Sequence, residues 1–164
     1  MRVWMRLTRL LCAIGISVCL AAVAGSQPAN PLPETLRAEV KNGRFGIVTS
    51  IRGLPLGIRD RLQIMFGSQT LDIADPGTEF QATGAVNPKL PTRRLIAAGC
   101  TIEYCLLYYE RGGAAHTWHV ALFHWTPAAT RFEWGGLAPG GLTTIDAVRN
   151  AVLSGAIKDA AGSW

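Results

Sequence analysis

The chain has little lysine: of its 16 basic residues only Lys41, Lys89 and Lys158 are lysines. Setting aside the three arginines of the first ten residues leaves 13 basic against 11 acidic residues, a formal charge of +2. Arg93-Arg94 is the sole basic doublet. Proteins that bind nucleic acid neutralise phosphates with clustered Lys and Arg. The composition therefore argues against nucleic acid as a partner.

The sequence also lacks the motifs of common catalytic centres. None of its five serines beyond residue 24 lies in a Gly-x-Ser-x-Gly motif, and the glycine-rich stretch 135–141 lacks the Lys-Ser/Thr end of a phosphate-binding loop. No H-E-x-x-H or four-ligand Cys/His pattern is present. His116 and His119 point to opposite faces if they lie on a strand. We therefore expect no metal site and no cofactor.

A pair of catalytic carboxylates is not expected either. Glu103 and Glu110 lie seven residues apart on one predicted strand, so they point to opposite faces more than about 20 Å apart. A glycosidase pair needs roughly 5 to 10 Å. We expect Glu110 and Arg111 to form a solvated hairpin end, and we assign no catalytic residues.

Only one long uncharged apolar run is present, at residues 10–24. Arg2, Arg6 and Arg9 precede it, and Ala22-Val23-Ala24 has the small-x-small pattern of a cleavage site. Fifteen residues are fewer than the ~20 that span a bilayer as a helix. The sequence predicts a signal peptide over 1–24 and export to the periplasm or extracellular space, with no stable membrane span after cleavage. An uncleaved anchor is the alternative.

Only two cysteines, Cys100 and Cys105, lie beyond this leader. Paired cysteines in an oxidising compartment usually form a disulfide. Bridged Cα atoms lie ~4.4 to 6.8 Å apart, whereas five residues of strand span ~17 Å. The sequence therefore predicts a disulfide that forces residues 101–104 to turn, with free thiols as the alternative.

The hydrophobic pattern predicts a single α+β domain over 34–157, between a Pro-rich linker at 25–33 and a tail at 158–164. A small antiparallel sheet would hold a central hairpin at about 102–125 and a further strand at 130–134. Short helices would pack on it, including a C-terminal helix at about 144–154. Other predicted helices lie at 33–43 and 58–66, and other strands at 44–51, 71–74, 80–86 and 94–98.

Gly112-Gly113 between two apolar runs indicates a two-residue hairpin loop. In that register Arg111 pairs with Ala114, and Leu106 lies opposite His119. The strand over 116–125 is apolar on both sides, so we expect it to be central and covered on both faces. The helix at 58–66 or another subunit would supply the second cover, which makes a homo-oligomer one of the expected arrangements.

The aromatic hairpin supplies the candidate ligand-binding residues Tyr104, Tyr108, His119 and Trp134. In the two-glycine register Tyr108 and Tyr104 flank His119, although a disulfide would place Tyr104 in a turn instead. A histidine beside tyrosine hydroxyls suits a general base or a ligand-orienting group. A buried structural histidine is the alternative. Trp134, on the last strand, is expected at the sheet edge, where tryptophan serves as an interface anchor.

No catalytic set converges on the predicted strands. The favoured hypothesis is therefore a small exported, non-enzymatic binding or accessory protein of the cell envelope. Its partner would be a protein, a peptide or a small-molecule ligand. One alternative is a small envelope hydrolase using His119 with Tyr108, and another is a self-associating structural protein.

Overall fold

The computed structural model describes residues 29–84 and 87–164. The predicted leader, residues 25–28 of the predicted linker, and Ala85 and Val86 of the predicted strand 80–86 lie outside the described residues. The elements are α1 (Glu34–Asn42), β1 (Gly46–Val48), a 3-10 turn (Ile51–Gly53), α2 (Leu56–Phe66), β2 (Arg93–Cys100), β3 (Tyr104–Arg111), β4 (Thr117–Trp125), β5 (Thr130–Ala138) and α3 (Ile145–Leu153).

The five strands form one antiparallel sheet in the order β1-β2-β3-β4-β5. This confirms the predicted α+β class. β2 to β5 are joined by short loops, whereas α2 and a long segment intervene between β1 and β2. No helix in the described part of the chain is long and apolar enough to cross a membrane.

The helices begin and end largely where the sequence indicates. α1 runs from Pro33 at its N-cap to Gly43 at its C-cap. α2 ends at Gly67, which has a φ of 63° and closes the last turn. α3 is capped by Thr144, whose hydroxyl accepts a hydrogen bond from the Ala147 N–H.

The sheet carries a hydrophobic core on each face. α1 and α3 cover one face, where Val148 packs in a cluster with Val120 and Leu122. α2 covers the other face, where Ile58 packs in a cluster with Ala121 and Phe123. The prediction that β4 is covered on both faces is confirmed, and α2 supplies the second cover.

The predicted register of the central hairpin is wrong. Residues 112–116 form a five-residue loop, so Arg111 pairs with Thr117 and Tyr109 pairs with His119. The observed register differs from the predicted one by three residues. Because this number is odd, each β4 side chain shares a face with a different set of β3 side chains from the one predicted. Gly112 has a different role from that of a turn residue: a Cβ there would lie 1.8 Å from the backbone oxygen of Gln81. The glycine lets the 78–84 segment pack against the hairpin loop.

The disulfide turn is present as predicted. Cys100 and Cys105 are bonded and lie directly opposite each other on β2 and β3. The Thr101 N–H donates to the Tyr104 carbonyl at 2.7 Å, which closes the turn. Tyr104 nevertheless begins β3. The disulfide turn is therefore compatible with a strand that includes Tyr104.

Several weaker expectations differ from the structure. β1 is only three residues long, β5 continues to Ala138 through the glycine-rich stretch, and the segment 71–74 contributes a single parallel bridge between Ala74 and Arg94. No strand forms over 80–84.

The described parts of the predicted linker and tail pack on the domain. The Asn30 N–H donates to the Ile157 carbonyl at 3.1 Å, and Leu32 is buried. Lys158 forms a bridge with Leu137 of β5.

Candidate functional site

The structure does not bring the predicted cluster of Tyr104, Tyr108 and His119 together. Tyr104 and Tyr108 belong to the core under α1 and α3, whereas His119 stacks on Tyr109, which belongs to the core under α2. The three-residue shift in register is the cause, because it puts Tyr109 opposite His119. The pair required by the hydrolase hypothesis therefore lies on opposite faces of the sheet.

Tyr108 is fully buried, and its hydroxyl donates to the Pro139 carbonyl at 2.8 Å. Burial raises the pKa of Tyr108 to about 12. Tyr104 is half-buried and packs edge-on against His124, with 5.1 Å between ring centroids. Burial also raises the pKa of Tyr104. Both phenols are therefore neutral at pH 7.

Trp134 lies on β5, which is the edge strand expected for it. Its side chain is not the exposed anchor expected from the sequence, because the residue is only 6% exposed and packs in the core under α1 and α3.

His119 is fully buried beneath the α2 side of the sheet. Its ring stacks on Tyr109, with 5.1 Å between centroids and 9° between planes. Nε2 lies 2.8 Å from the Thr117 hydroxyl. Burial, with smaller contributions from Arg111 and Arg93, lowers the pKa of His119 to about 4. The imidazole is therefore neutral at pH 7.

A groove runs along α2 on this face of the sheet. A cavity of about 510 Å³ opens at the C-terminal end of α2, and one of about 220 Å³ lies nearer Phe132. Both cavities are lined by Ile64, Met65 and Trp164, so they adjoin each other along α2. We call this feature the α2 groove.

Two guanidinium groups line the larger cavity. Arg93 and Arg111 are directly opposite each other, at the start of β2 and the end of β3. Arg93 donates through Nη1 to Oδ2 of Asp72 at 2.7 Å and through Nη2 to the Trp164 carbonyl at 2.5 Å. Among the described residues, no carboxylate lies within ion-pair distance of Arg111.

Arg93 is held in place from several sides. Its guanidinium carbon lies 4.1 Å from the centroid of Phe66. Asp72 is itself fixed by the N–H and the hydroxyl of Thr92. Burial lowers the pKa of Arg93, while Asp72 opposes this change. The fixed guanidinium can bind an oxygen acceptor without first being ordered.

Three buried polar atoms beside the groove have no hydrogen-bond partner among the described residues. They are Nε of Arg93, the hydroxyl of Tyr109 and Nδ1 of His119. Buried polar atoms are usually paired. These three atoms therefore retain hydrogen-bonding capacity beside the groove.

A second charged cluster lies at the same end of the sheet on the other face. Glu110 is 5% exposed, which corrects the expectation of a solvated hairpin end. Its carboxylate accepts from Arg94 Nε at 2.7 Å and contacts His116 Nε2 at 2.8 Å. His116 stacks on Trp118 with 4.7 Å between centroids. Arg94 and His116 thus fix the buried carboxylate and hold the hairpin loop against the strands.

The sequence carries a signal of the Glu110 cluster but none of the α2 groove. Glu110 lies two residues from Tyr108 on one strand, so the alternation of side chains directs both to the same face, which α1 and α3 cover. The α2 groove combines β2, β3, α2 and the segment 161–164. Only the observed strand register places Arg93 beside Arg111.

The described residues contain no group of three or more His, Cys, Asp or Glu side chains arranged to hold a metal ion.

Comparisons of the chain with models of protein families, with curated proteins and with solved structures found no match. The chemistry of the α2 groove is therefore interpreted from its own residues.

Proposed function

We propose that this protein is a small exported, non-enzymatic binding protein of the cell envelope that takes an amphipathic anionic ligand in its α2 groove. The observation that carries the proposal is a groove with apolar side chains in its middle and guanidinium groups towards both ends. Arg93 and Arg111 line the larger cavity, and Arg61 lines the smaller one.

The charge of the groove favours an anion. Arg61 and Arg111 have no carboxylate within ion-pair distance among the described residues. A cleft lined by charges of one sign attracts ligands of the other sign. Guanidinium groups also bind carboxylate and sulfonate oxygens through paired, charge-assisted hydrogen bonds.

The middle of the groove favours an apolar ligand body. Ile64 is 66% exposed on the groove-lining side of α2. Met65 and Phe132 continue the apolar surface, and methionine adapts its shape readily to ligands. Exposed apolar surface beside polar groups is typical of binding sites.

The groove supports binding rather than catalysis. Ser163 is the hydroxyl-bearing residue among the described residues that line the larger cavity, and its hydroxyl donates to the Ala160 carbonyl at 2.6 Å. His119 lies behind the lining and is neutral at pH 7. An activated nucleophile needs a base within hydrogen-bond reach.

Export is supported by two independent features. The N-terminal sequence has the charge and apolar pattern of a signal peptide. The Cys100–Cys105 disulfide is of a kind that persists in oxidising compartments. Self-association receives less support, because α2 covers the sheet face that a second copy was expected to cover.

The proposal is tested with 1-anilinonaphthalene-8-sulfonate, an amphipathic anion whose fluorescence rises on binding. We expect saturable binding to the folded protein, and weaker binding of the uncharged analogue N-phenyl-1-naphthylamine. R111Q should weaken sulfonate binding about tenfold, which corresponds to about 1.4 kcal/mol.

R44Q is the matched control, because exposed Arg44 precedes β1 at the Cys100 end of β2. It removes the same charge outside the groove and should leave the affinity unchanged. Equal affinities of the native protein, R44Q and R111Q would contradict the proposed function.

A further inference from the structure

The segment 161–164 already occupies the α2 groove. The Trp164 ring packs edge-on against Phe132, with 5.0 Å between centroids, and lies 6.2 Å from the His119 ring. Its backbone carbonyl accepts a hydrogen bond from Arg93. Trp164 therefore presents an aromatic ring to the apolar part of the groove and an oxygen acceptor to a guanidinium.

This segment adopts a backbone conformation that is unfavourable in isolation. Ala161 has a φ of 47°, and the following Gly162 has a φ of 79°. A left-handed conformation costs a non-glycine residue about 1 kcal/mol or more. Buried Ala160 and the hydrogen bond from Ser163 N–H to the Ala160 carbonyl hold the turn. The contacts that hold Trp164 in the groove must therefore offset the free energy that the left-handed conformation of Ala161 costs.

Trp164 uses only part of the hydrogen-bonding and charge-pairing capacity of the arginines in the groove. Its carbonyl accepts from Nη2 of Arg93, while Nε of Arg93 has no partner among the described residues. Arg111 also lacks an ion-pair partner among them. Nε of Arg93 and the guanidinium of Arg111 can therefore still bind the acceptor oxygens and the negative charge of a ligand carboxylate.

We infer that Trp164 is an intramolecular stand-in for the ligand, and that the ligand is an N-acylated aromatic amino acid with a free carboxylate, which displaces Trp164 from the groove. This inference rests on the proposed function and names the ligand class of the same site. The shared chemistry occurs in a free acyl amino acid and at the carboxyl end of a peptide.

Competition with Trp164 has a measurable consequence. A ligand that binds only the open groove has an apparent affinity reduced by the fraction of molecules in which the groove is open. Removing the indole in W164A should therefore strengthen binding, whereas W164F retains a ring that can compete.

The test is calorimetric titration of the native protein, W164A and W164F with N-acetyl-L-tryptophan. We expect W164A to bind at least tenfold more tightly than the native protein and W164F to bind with intermediate or native affinity. N-acetyl-L-tryptophanamide, which lacks the carboxylate, and N-acetyl-L-alanine, which lacks the ring, should each bind W164A at least tenfold more weakly.

A peptide probe distinguishes the two sources of this chemistry. N-acetyl-Ala-Gly-Ser-Trp with a free carboxylate should bind W164A more tightly than N-acetyl-L-tryptophan if the ligand is a peptide end. Equal affinities identify the free acyl amino acid as sufficient. Either result supports the inference, and failure of both probes to bind W164A overturns it.

The sulfonate titration separates this inference from the proposed function. If W164A binds 1-anilinonaphthalene-8-sulfonate but not N-acetyl-L-tryptophan, the ligand class is wrong and the anion groove stands. If R111Q has no effect on either probe, both proposals are wrong. Equal affinity of the native protein and W164A for N-acetyl-L-tryptophan overturns displacement alone.

Nuclear magnetic resonance of the native protein tests the displacement of Trp164 even if W164A does not fold. The indole N–H resonance of Trp164 is identified by its absence from W164F. Saturating N-acetyl-L-tryptophan should shift this resonance as the side chain leaves Phe132 and His119. An unchanged resonance at saturation would overturn the displacement of Trp164.

Discussion

Tyr109 and His119 lie directly opposite each other on β3 and β4, with their rings stacked at 5.1 Å between centroids. The stack is buried by Phe66, whose ring packs edge-on against Tyr109. It leaves the Tyr109 hydroxyl and His119 Nδ1 without partners among the described residues. The pair therefore joins the core under α2 to the polar end of the α2 groove.

The lowered pKa of His119 predicts a loss of stability in acid. Its pKa is about 4 in the folded protein against an ordinary value of 6.5, so the unfolded chain binds the proton more readily. The contribution to stability is complete above pH 6.5 and is lost as the pH falls towards 4. The loss is on the order of 3 kcal/mol. Urea unfolding of the native protein and H119Q at pH 7.5 and 4.5 measures it.

The variant H119Q should lose less stability between these two pH values than the native protein does. Y109F is the control, because it alters the same stack without changing a group that titrates in this range. It also removes a hydroxyl without a partner among the described residues, so little stability should be lost at pH 7.5. An identical pH dependence for H119Q and the native protein would show that His119 is not buried in its neutral form.

Glu110 is expected to stabilise the hairpin through its two basic neighbours. E110Q leaves Arg94 and His116 without the carboxylate that both contact. Because these two side chains are about one-third exposed, the cost should be about 1 to 3 kcal/mol. Chemical denaturation at pH 7 measures this free energy of unfolding.

E133Q provides a comparison for E110Q. It breaks the ion pair between Glu133 and Arg131, whose side chain is 66% exposed. Exposed pairs contribute little, so the change should stay below about 1 kcal/mol. Equal effects of E110Q and E133Q would contradict the structural role assigned to Glu110.

The disulfide is expected to stabilise the fold modestly, because it closes a short loop. Replacing both Cys100 and Cys105 by serine should lower the free energy of unfolding by about 2 kcal/mol. Intact mass before and after alkylation under non-reducing conditions checks the bond directly. No gain in mass is expected, whereas addition of two alkyl groups would show free thiols.

The same mass measurement on the exported protein tests the leader. Cleavage after Ala24 yields a chain beginning at Gly25. A mass that includes residues 1–24 would instead show a retained N-terminal segment.

Gly136 is expected to tolerate no side chain. A Cβ at this position would lie 2.1 Å from the Lys158 carbonyl, which accepts the hydrogen bond from Leu137 N–H. G136A should therefore cost about 1 to 3 kcal/mol and speed amide hydrogen exchange at Leu137 and Lys158. G46A is the control, because its nearest contact would be an ordinary 3.6 Å. Native-like exchange in G136A would show that the close approach is not required.

Local signals predicted the elements well because they act within one segment. Pro33, Gly43 and Gly67 stand at the helix ends that their backbone preferences favour. The turn between Cys100 and Cys105 followed from their short spacing once a disulfide between them was expected. Apolar character on both sides of β4 correctly indicated a strand buried on both faces.

The register and the groove were not predictable in this way because they depend on distant segments. Gly112 accommodates the backbone of Gln81, so the hairpin loop is longer than the glycine pair alone suggests. That difference places Tyr109, rather than the predicted Leu106, opposite His119. Trp164 reaches the groove only because the segment after α3 returns across β5.

The order of the strands has a consequence for how the chain folds. Loops of three, five and four residues connect β2 to β3, β3 to β4 and β4 to β5, whereas 44 residues separate β1 from β2. The entropy lost on closing a loop increases with its length, so the β2–β5 meander is the part that can form earliest. β1 and α2 then add to a sheet that already exists, and substitutions in them should accelerate unfolding more than they slow folding.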